Sequence, residues 1–413
     1  MYNGYKVNHV INITDVGHLT SDADAGEDKM IKGLKREGLP VTKDSMLKLA
    51  QIYTDQFMED FDSLNILPPK KWTKATAYVQ QMIEMIQKIV KNGYAYETST
   101  AVYFDISTFD HYGELAKLDI EELKAGARVK VDPEKKNPHD FVLWFKAVEK
   151  HKNHLMQWDS PWGKGFPGWH IECSAMACYH LGEQFDIHTG GIDHIPVHHT
   201  NEIAQTEAAT NKHPWVKYWM HGEFLVLDKE KMSKSKGMFL TLQTITDKGY
   251  DPLVYRYFCL TAHYRKQLTF SYEGLDAAQN ALHKLQNKVL ELLEKPEEGE
   301  KTPDQYISDF HVAINDDLNM PQALAVVWDM LKNEDVNNDA KYDTLMGFDK
   351  VFGLRLNEIE KVEVSREVQE LLTQREHARL NKHWNDADAL RDKIHKLGYI
   401  LDDSPTGTVV KKA

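Results

Sequence analysis

The stretch Phe185-Asp-Ile-His-Thr-Gly-Gly-Ile-Asp193 decides the fold, because an apolar segment runs there into a pair of glycines. Such a segment, bounded by glycine, predicts a strand. The residues around it, from about Trp158 to Val226, show the same pattern of apolar strand-like segments separated by glycine turns. This part of the chain therefore predicts the parallel sheet of an α/β domain.

The residues before this stretch predict the rest of that domain and an insertion. A first strand-like stretch, Tyr5 to Ile13, begins almost at residue 1, as expected if the chain opens with the later part of a βαβ unit. From Ser45 to Lys91 the apolar residues recur at helical spacing. Between Tyr94 and Lys146 the strand-like pieces Ala101–Phe104 and Phe141–Phe145 predict an inserted subdomain.

The C-terminal part predicts a helical bundle. A seven-residue apolar rhythm begins at Leu275 and reaches Leu292, which is typical of a bundle helix. The charged segment from Glu294 to Pro303 is the best linker candidate. Helical spacing then resumes to about Leu397, and the tail from Asp402 to Thr408 has the composition of a turn.

Composition restricts the class of protein. With 42% hydrophobic and 27% charged residues in 413, the chain is expected to be a soluble globular protein of several domains. It has neither a long apolar run nor a secretory signal at its start, so we expect it in the cytoplasm and not in a membrane. Its three cysteines do not suggest a disulfide framework. The net charge of -13 means that any nucleic-acid partner must meet a local basic face.

The run Lys231-Met-Ser-Lys-Ser-Lys-Gly237 is a candidate phosphate-binding loop. Its ammonium groups could neutralise charge that develops on a polyphosphate, while hydroxyls and backbone N–H groups add donors. On charge alone, a solvated charged turn is the simpler explanation of the run.

Cys173, His198 and Glu202 form a candidate zinc site. His198 and Glu202 are four residues apart, so a helix starting there would place imidazole and carboxylate on one face. Adding the thiolate of Cys173 gives a mixed S/N/O donor set suited to zinc. Taken singly, Cys173 could be a small buried apolar residue and His198 a hydrogen-bonded core residue.

These motifs resemble those of cysteinyl-tRNA synthetases, which are class I aminoacyl-tRNA synthetases. Residues 231–235 match the KMSKS signature of that class in all five positions. The segment from Trp162 to Ser174 is similar to the stretch carrying one zinc cysteine, and that from Gly190 to Glu202 to the stretch supplying the zinc histidine and glutamate. The likeness covers essentially all 413 residues and includes Asn12-Ile-Thr-Asp15, Asp140–Trp144, Ala387–Asp392 and Pro405-x-Gly-Thr408.

The resemblance implies a site and a reaction. One Zn²⁺ per chain, held by Cys173, His198 and Glu202, would select cysteine by binding its thiolate, and Trp169 would form a wall of the cysteine pocket. ATP, with Mg²⁺, would be contacted by Lys234, Asp193 and Gly191, and Lys231 and Lys234 would be catalytic. Core packing remains the alternative for Trp169, and an ordinary turn aspartate for Asp193.

The resemblance also implies a domain order and partners. The fold class is a Rossmann-like parallel sheet, incomplete at its N-terminus, with an inserted subdomain and then an all-α bundle that binds the anticodon. The expected regions are a first catalytic part at 1–76, a connective subdomain at 77–160, a second catalytic part with the zinc site at 161–225, the KMSKS and stem-contact region at 226–275, and the anticodon region at 276–413. The partners are tRNA(Cys), L-cysteine and ATP, and a monomer is expected.

The predicted anticodon region carries a basic run with one aromatic residue, a combination able to bind RNA. Its members are Arg375, Arg379, Lys382, Trp384, Arg391, Lys393 and Lys396. The alternative is a solvated helix face with Trp384 packed inward, so no single contact to the anticodon is assigned.

The sequence departs from the family pattern at its start. The Cys-Gly-Pro-Thr-Val-Tyr segment with a further zinc cysteine and the His-Ile-Gly-His motif do not occur in the 413 residues, and residues 16–27 form an insertion of unknown role. We therefore expect weak or no cysteine activation by this polypeptide alone. Two other functions stay open: a cysteine ligase of the mycothiol pathway, with an amino-sugar acceptor, and a noncatalytic tRNA-binding paralogue.

Overall fold

The computed structural model describes residues 2–16, 19–21, 25–117, 133–227, 240–294, 303–360, 364–404 and 407–412. The chain forms two compact units. The first contains residues 3–62 and 67–224, and the second contains residue 2, residues 63–66 and the chain from residue 225 onward. Within the described ranges, no helix combines the length and the apolar character needed to cross a membrane.

The first unit is built on two pairs of parallel strands connected through helices. Its elements are β1 (Val10–Ile13), β2 (Leu19–Ser21), β3 (Ala25–Asp28), α1 (Lys29–Arg36), α2 (Lys43–Ser63), β4 (Lys71–Lys74), α3 (Val79–Lys91), β5 (Ala95–Glu97), β6 (Ala101–Phe104), β7 (Phe141–Lys146), β8 (Gly165–Pro167), α4 (Trp169–Leu181), β9 (Phe185–Gly191), α5 (Thr200–Thr210) and β10 (Val216–Gly222). β1 pairs with β4 and β9 pairs with β10, both in parallel. The predicted α/β class with parallel strands is confirmed.

Two predicted boundaries in this unit are wrong. The first strand begins at Val10, where pairing with Lys71 of β4 starts, and not at Tyr5. Tyr5 and Val7 are 76% and 46% exposed, so these two apolar residues before Val10 are not the buried residues of a strand. β4 interrupts the region that was predicted to be helical. Of its four residues only Thr73 is buried, so its sequence has almost no apolar pattern from which a strand could be predicted.

The inserted subdomain is an antiparallel sheet in the order β5-β6-β7-β8. The two predicted strand pieces are β6 and β7, and both are buried along nearly their whole length. Across this pair the rings of Phe104 and Phe141 stack with their centroids 4.9 Å apart. Aromatic packing of this kind explains why the sequence of these two strands is rich in apolar residues and predicts them correctly.

The join between β8 and α4 depends on two glycines. A Cβ at Gly165 would lie 1.9 Å from the Phe145 carbonyl oxygen, and one at Gly168 would lie 2.0 Å from the Val142 carbonyl oxygen. Backbone therefore approaches backbone at distances that only glycine permits. Since α4 begins at Trp169, directly after Gly168, this contact fixes where the helix starts.

The second unit is mainly helical. Its elements are β11 (Leu225–Leu227), α6 (Leu242–Thr246), α7 (Pro252–Leu260), β12 (Leu268–Phe270), α8 (Tyr272–Glu294), α9 (Asp304–Asn315), α10 (Met320–Lys332), α11 (Asn338–Phe352), α12 (Arg366–Leu380), α13 (Trp384–Lys396), β13 (Tyr399–Ser404) and β14 (Gly407–Lys412). The predicted rhythm is the buried stripe of α8, whose members Leu275, Ala278, Leu282, Leu285, Val289 and Leu292 are all core residues. The starts of three of these helices are capped by side chains. Asp251, Asn319 and Asn337 each accept a hydrogen bond from a backbone N–H of the helix they precede.

The prediction of an all-α end needs one correction. The last residues form an antiparallel hairpin in which β13 pairs with β14 from Tyr399 to Lys412. The tail read as turn chemistry is therefore mostly strand, and its Pro405-Thr406 pair lies outside the described residues. The predicted linker lies between the ends of α8 and α9, and its residues 295–302 are likewise outside them.

Candidate metal and nucleotide site

Three short segments of the first unit bring the site together. α4 carries Trp169 and Cys173, one helical turn apart and so on one face. β9 ends at Gly191 and is followed by a 3₁₀ turn, Ile192–His194, and a π turn, Ile195–His199, that leads into α5. α4 and α5 are tied by buried Ser174, whose hydroxyl donates to the Glu202 carbonyl at 3.3 Å.

The structure brings the three predicted metal ligands together. One donor atom each of Cys173, His198 and Glu202 lies within 4.8 Å of the other two. His198 Nε2 and Glu202 Oε1 are 3.8 Å apart. The prediction of a helix starting at His198 is wrong in detail, since His198 belongs to the π turn and α5 begins at Thr200. The two side chains nevertheless face each other, because the π turn continues directly into the helix.

The charges of the group follow from its burial. Burial lowers the pKa of His198 to about 3, against the attraction of Glu202, so its imidazole is neutral near pH 7. Burial alone would raise the pKa of Glu202, but the imidazoles of His188 and His198 hold it below its usual value. Burial raises the pKa of the Cys173 thiol, and the Glu202 and Glu172 carboxylates raise it further. A thiolate here requires positive charge beside it.

The donor set fits a metal cation. Glu202 is completely buried, and its Oε1 atom has no hydrogen-bond partner within the described part of the chain. A buried carboxylate oxygen without a partner is costly unless a cation compensates it. The same cation would stabilise the Cys173 thiolate, and the neutral imidazole of His198 has a lone pair to offer.

A second group of donors was missed by sequence reasoning. His188 Nε2 lies 3.1 Å from Glu202 Oε2, and His199 Nε2 lies 3.8 Å from the same oxygen. His199 Nδ1 in turn lies 2.9 Å from His221 Nε2. The two oxygens of Glu202 therefore face different histidines. The signal available in the sequence was the His198-His199 pair and His188 within the predicted strand that starts at Phe185.

Trp169, Gly191 and Asp193 surround these donors. The ring of Trp169 packs on that of His198, with centroids 4.5 Å apart, so the tryptophan borders the candidate metal ligands. Asp193 is exposed in the turn that follows the carboxyl end of β9. A Cβ at Gly191 would come within 2.2 Å of Asp193 Oδ1, so the glycine makes room for this carboxylate. The position suits a nucleotide, because such ligands bind beyond the carboxyl ends of parallel strands.

The predicted phosphate-binding lysines belong to a segment between β11 and residue 240. Lys231 and Lys234 lie in residues 228–239, outside the described residues. The described chain on either side ends with β11 and resumes at residue 240. Their roles stay predictions from the motif.

The basic run near the C-terminus divides into two groups. Arg375 is only 4% exposed and pairs with Asp403 of the hairpin, and Arg379 pairs with the same carboxylate. Arg391 donates to the Leu401 carbonyl at 3.2 Å. The remaining members, Lys382, Trp384, Lys393 and Lys396, are exposed. Trp384 is 58% exposed, so the alternative with its ring packed inward is wrong.

Comparison with known proteins defines the class. The model of the class I (C) tRNA synthetase catalytic domain matches residues 1–280, and that of the cysteinyl-tRNA ligase anticodon binding domain matches residues 361–409. Among solved structures, Mycobacterium tuberculosis methionyl-tRNA synthetase bound by methionyl-adenylate aligns with a TM-score of 0.53 at 16% identity, covering 86% of this chain and 83% of that one. The fold is that of a class I tRNA synthetase.

Curated relatives narrow the class. A cysteine–tRNA ligase of Treponema denticola is 44% identical, covering 99% of this chain and 88% of its own length. Cysteine–tRNA ligase 1 of Burkholderia lata is 48% identical, with 98% of this chain and 84% of that protein covered. The chain belongs to the cysteine–tRNA ligase family, and the family indicated by the sequence motifs is confirmed.

Proposed function

We propose that the chain activates L-cysteine with ATP, forming cysteinyl-adenylate and pyrophosphate, and transfers the cysteine to the 3′ end of tRNA(Cys). The observation that carries the proposal is the convergence of three donor atoms of different chemistry within 4.8 Å of one another. Trp169 borders this group, and Asp193 stands at the end of the adjacent strand. The amino-acid pocket and the nucleotide position that we propose are therefore neighbours.

Cys173, His198 and Glu202 would hold one Zn²⁺ per chain. When bound, the ion supplies a soft Lewis acid that distinguishes a thiol from a hydroxyl. Three protein ligands leave an open position for a substrate. Trp169 limits the pocket on the side of His198. Selection by thiol chemistry removes the need for an editing site.

The nucleotide would be held by Asp193, Gly191 and the lysine-rich run. Asp193 accepts a hydrogen bond from the ATP ribose, and Gly191 keeps the backbone close to it. Lys231 and Lys234, with Mg²⁺, neutralise charge on the phosphates while a carboxylate oxygen of cysteine attacks the α-phosphorus. The bond from that phosphorus to the leaving pyrophosphate breaks in the same step.

The tRNA would contact the C-terminal helices through the exposed members of the basic run. Lys382, Lys393 and Lys396 offer charge to the RNA backbone, and the exposed ring of Trp384 offers a face for stacking. Arg375 and Arg379 instead hold the hairpin against α12. We propose a monomer in the cytoplasm, which sedimentation of the purified chain and cell fractionation test.

The decisive experiment uses the purified 413-residue chain loaded with Zn²⁺. The expected results are a low rate of cysteine-dependent exchange of pyrophosphate into ATP, no exchange with serine, and charging of tRNA(Cys) with cysteine. The exchange rate also tests the expectation of weak activation. Charging of an amino sugar in place of tRNA would overturn the proposal in favour of the mycothiol-type ligase, and binding of tRNA without exchange would favour the noncatalytic paralogue.

A further inference from the structure

Each of the three proposed metal ligands is held by one polar side chain that is not a member of the ligand set. Asn12 of β1 bonds to Cys173, His170 of α4 to His198, and His188 of β9 to Glu202. The three partners come from three different elements. None of them has a role in the function proposed above.

His188 determines which oxygen of Glu202 is available. Its Nε2 lies 3.1 Å from Oε2, a hydrogen-bond distance, while Oε1 faces His198 Nε2 at 3.8 Å. Glu202 is completely buried, so bulk solvent does not reach either contact. With Oε2 engaged by an imidazole N–H, the oxygen left for a cation is Oε1.

His170 fixes the ring of His198. The Nδ1 atoms of the two rings are 2.9 Å apart, and both residues are buried. Two imidazole nitrogens at this distance share one proton, so one must donate and the other accept. If His198 donates from Nδ1, its Nε2 keeps a lone pair, and Nε2 is the atom turned toward Glu202 Oε1.

Asn12 contacts the side chain of Cys173. Thr73 donates its hydroxyl proton to Asn12 Oδ1 at 2.9 Å, which fixes the orientation of the amide. The amide NH₂ is then the group that meets the Cys173 sulfur.

We propose that Asn12, His170 and His188 are positioning residues that direct Cys173 Sγ, His198 Nε2 and Glu202 Oε1 toward a single metal ion. The inference rests on the proposed metal site and adds the residues that orient it. Outer partners of this kind typically change metal affinity by about 10- to 100-fold when removed.

The competing possibility is a second ion on the other oxygen of Glu202. His188, His199 and Glu202 also place donor atoms within 4.8 Å of one another. Two dications would then share the negative charge of one carboxylate and one thiolate, which balances poorly in a buried site. The hydrogen bond from His188 to Oε2 uses the same oxygen without that excess charge. One ion per chain is therefore the arrangement that the contacts favour.

The test measures zinc stoichiometry and affinity on the full chain by competition with a chelator. His188→Phe and His170→Phe keep the ring volume and remove the N–H or the acceptor, and Asn12→Asp removes the donor. We expect one ion per chain in every variant and an affinity lowered about 10- to 100-fold. His188→Gln, which retains an N–H donor, should recover part of the loss. His180→Phe is the matched control, since His180 also lies on α4 but bonds to the Tyr78 hydroxyl at 2.7 Å.

Two further readouts separate positioning from general damage. The visible spectrum of the Co²⁺-loaded chain should change in His188→Phe and stay unchanged in His180→Phe, and KM for cysteine should rise more than kcat falls. If His188→Phe does not fold, as judged by thermal unfolding, His188→Ala takes its place. Wild-type affinity in the His188 and His170 variants overturns the inference. So does a chain with two ions that loses one of them in His188→Phe.

A Cys173→Ser arm distinguishes failure of this inference from failure of the metal site. Retention of wild-type zinc affinity in Cys173→Ser would show that the proposed ligand set is wrong. Loss of zinc in Cys173→Ser with no effect of His188→Phe would leave the site standing and remove only the positioning role.

Discussion

At the scale of single residues, Glu202 organises the site because its two oxygens have different surroundings. Oε2 meets His188, whereas Oε1 is buried and lacks a hydrogen-bond partner in the described part of the chain. The sequence predicted Glu202 as a ligand from its spacing to His198. It could not predict which oxygen is available, because His188 reaches Glu202 from another element and sequence spacing carries no information on that contact.

Removing the charge of Glu202 should remove the metal. Glu202→Gln leaves the shape of the side chain but loses the anion, and we expect the purified chain to contain less than a tenth of the wild-type zinc, by elemental analysis, because the donor set loses its buried negative charge. Glu207→Gln is the control. Glu207 lies on the same helix but pairs with His213 and the Trp215 N–H, so zinc content should be unchanged. Equal zinc in both variants would contradict the ligand role of Glu202.

At the scale of elements, strong periodic patterns were predictable and contacts between backbones were not. The buried stripe of α8 and the aromatic strands β6 and β7 match the sequence prediction because each repeats its apolar residues at the period of its element. β4 was missed because its outer residues are lysines, and the hairpin at the C-terminus because Asp402 to Thr408 has turn-forming composition. Tertiary pairing decides both.

The start of α4 should not tolerate a side chain at residue 168. Gly168→Ala places a methyl group 2.0 Å from the Val142 carbonyl oxygen, where only backbone could move aside. We expect a loss of about 2 kcal/mol or more in stability and reduced zinc content, since α4 carries Cys173. Thermal unfolding and elemental analysis measure the two effects. Gly347→Ala, in a helix with nothing within 4 Å of the new Cβ, should be neutral or stabilising by up to about 1 kcal/mol.

The hairpin at the C-terminus should depend on the charge of Asp403. Burial alone would raise its pKa, but hydrogen bonds from Arg375 and Thr408 and the charge of Arg379 lower the pKa to about 2. Because the folded pKa lies below the ordinary value of 3.8, the stabilisation is complete above about pH 4 and is lost as the pH falls toward 2. The difference corresponds to about 2 kcal/mol.

The corresponding variant is Asp403→Asn, which should weaken the hairpin at every pH. It leaves the guanidinium of Arg375, only 4% exposed, without its anion, and the cost of such a group is about 3 kcal/mol. Hydrogen exchange of the β13 and β14 amides should accelerate while exchange in α8 stays the same. Asp402→Asn is the neighbouring control. Unchanged protection of the hairpin in Asp403→Asn would mean that the ion pair contributes nothing to its stability.

At the scale of the whole molecule, the two family matches lie in different parts of the chain. The catalytic-domain match covers residues 1–280 and the anticodon-domain match covers residues 361–409. The proposed chemistry of activation therefore belongs to the first part and the proposed recognition of tRNA to the last. A substitution in the first part should therefore lower both activation and charging, whereas one in the last part should lower charging and spare activation.

Lys234→Ala should lower the rate of cysteine-dependent pyrophosphate exchange by about 10²–10³-fold, as expected when one stabilising contact to a developing charge is lost. Charging of tRNA should fall in parallel, because the adenylate is its precursor. Lys236→Ala is the control within the same run. An exchange rate in Lys234→Ala close to that of the wild-type chain would remove Lys234 from the catalytic group.

Trp384→Ala should lower the charging of tRNA without lowering pyrophosphate exchange. Its ring is 58% exposed at the start of α13, and loss of one stacked base costs about 1–3 kcal/mol, or roughly 5- to 150-fold in kcat/KM for tRNA. Pyrophosphate exchange does not involve tRNA and should be unchanged. Leu380→Ala tests the specificity of the effect, because Leu380 is also exposed, at 77%, but has no aromatic face. If both variants charge tRNA like the wild-type chain, Trp384 is a solvated surface residue and the RNA must be recognised by other groups.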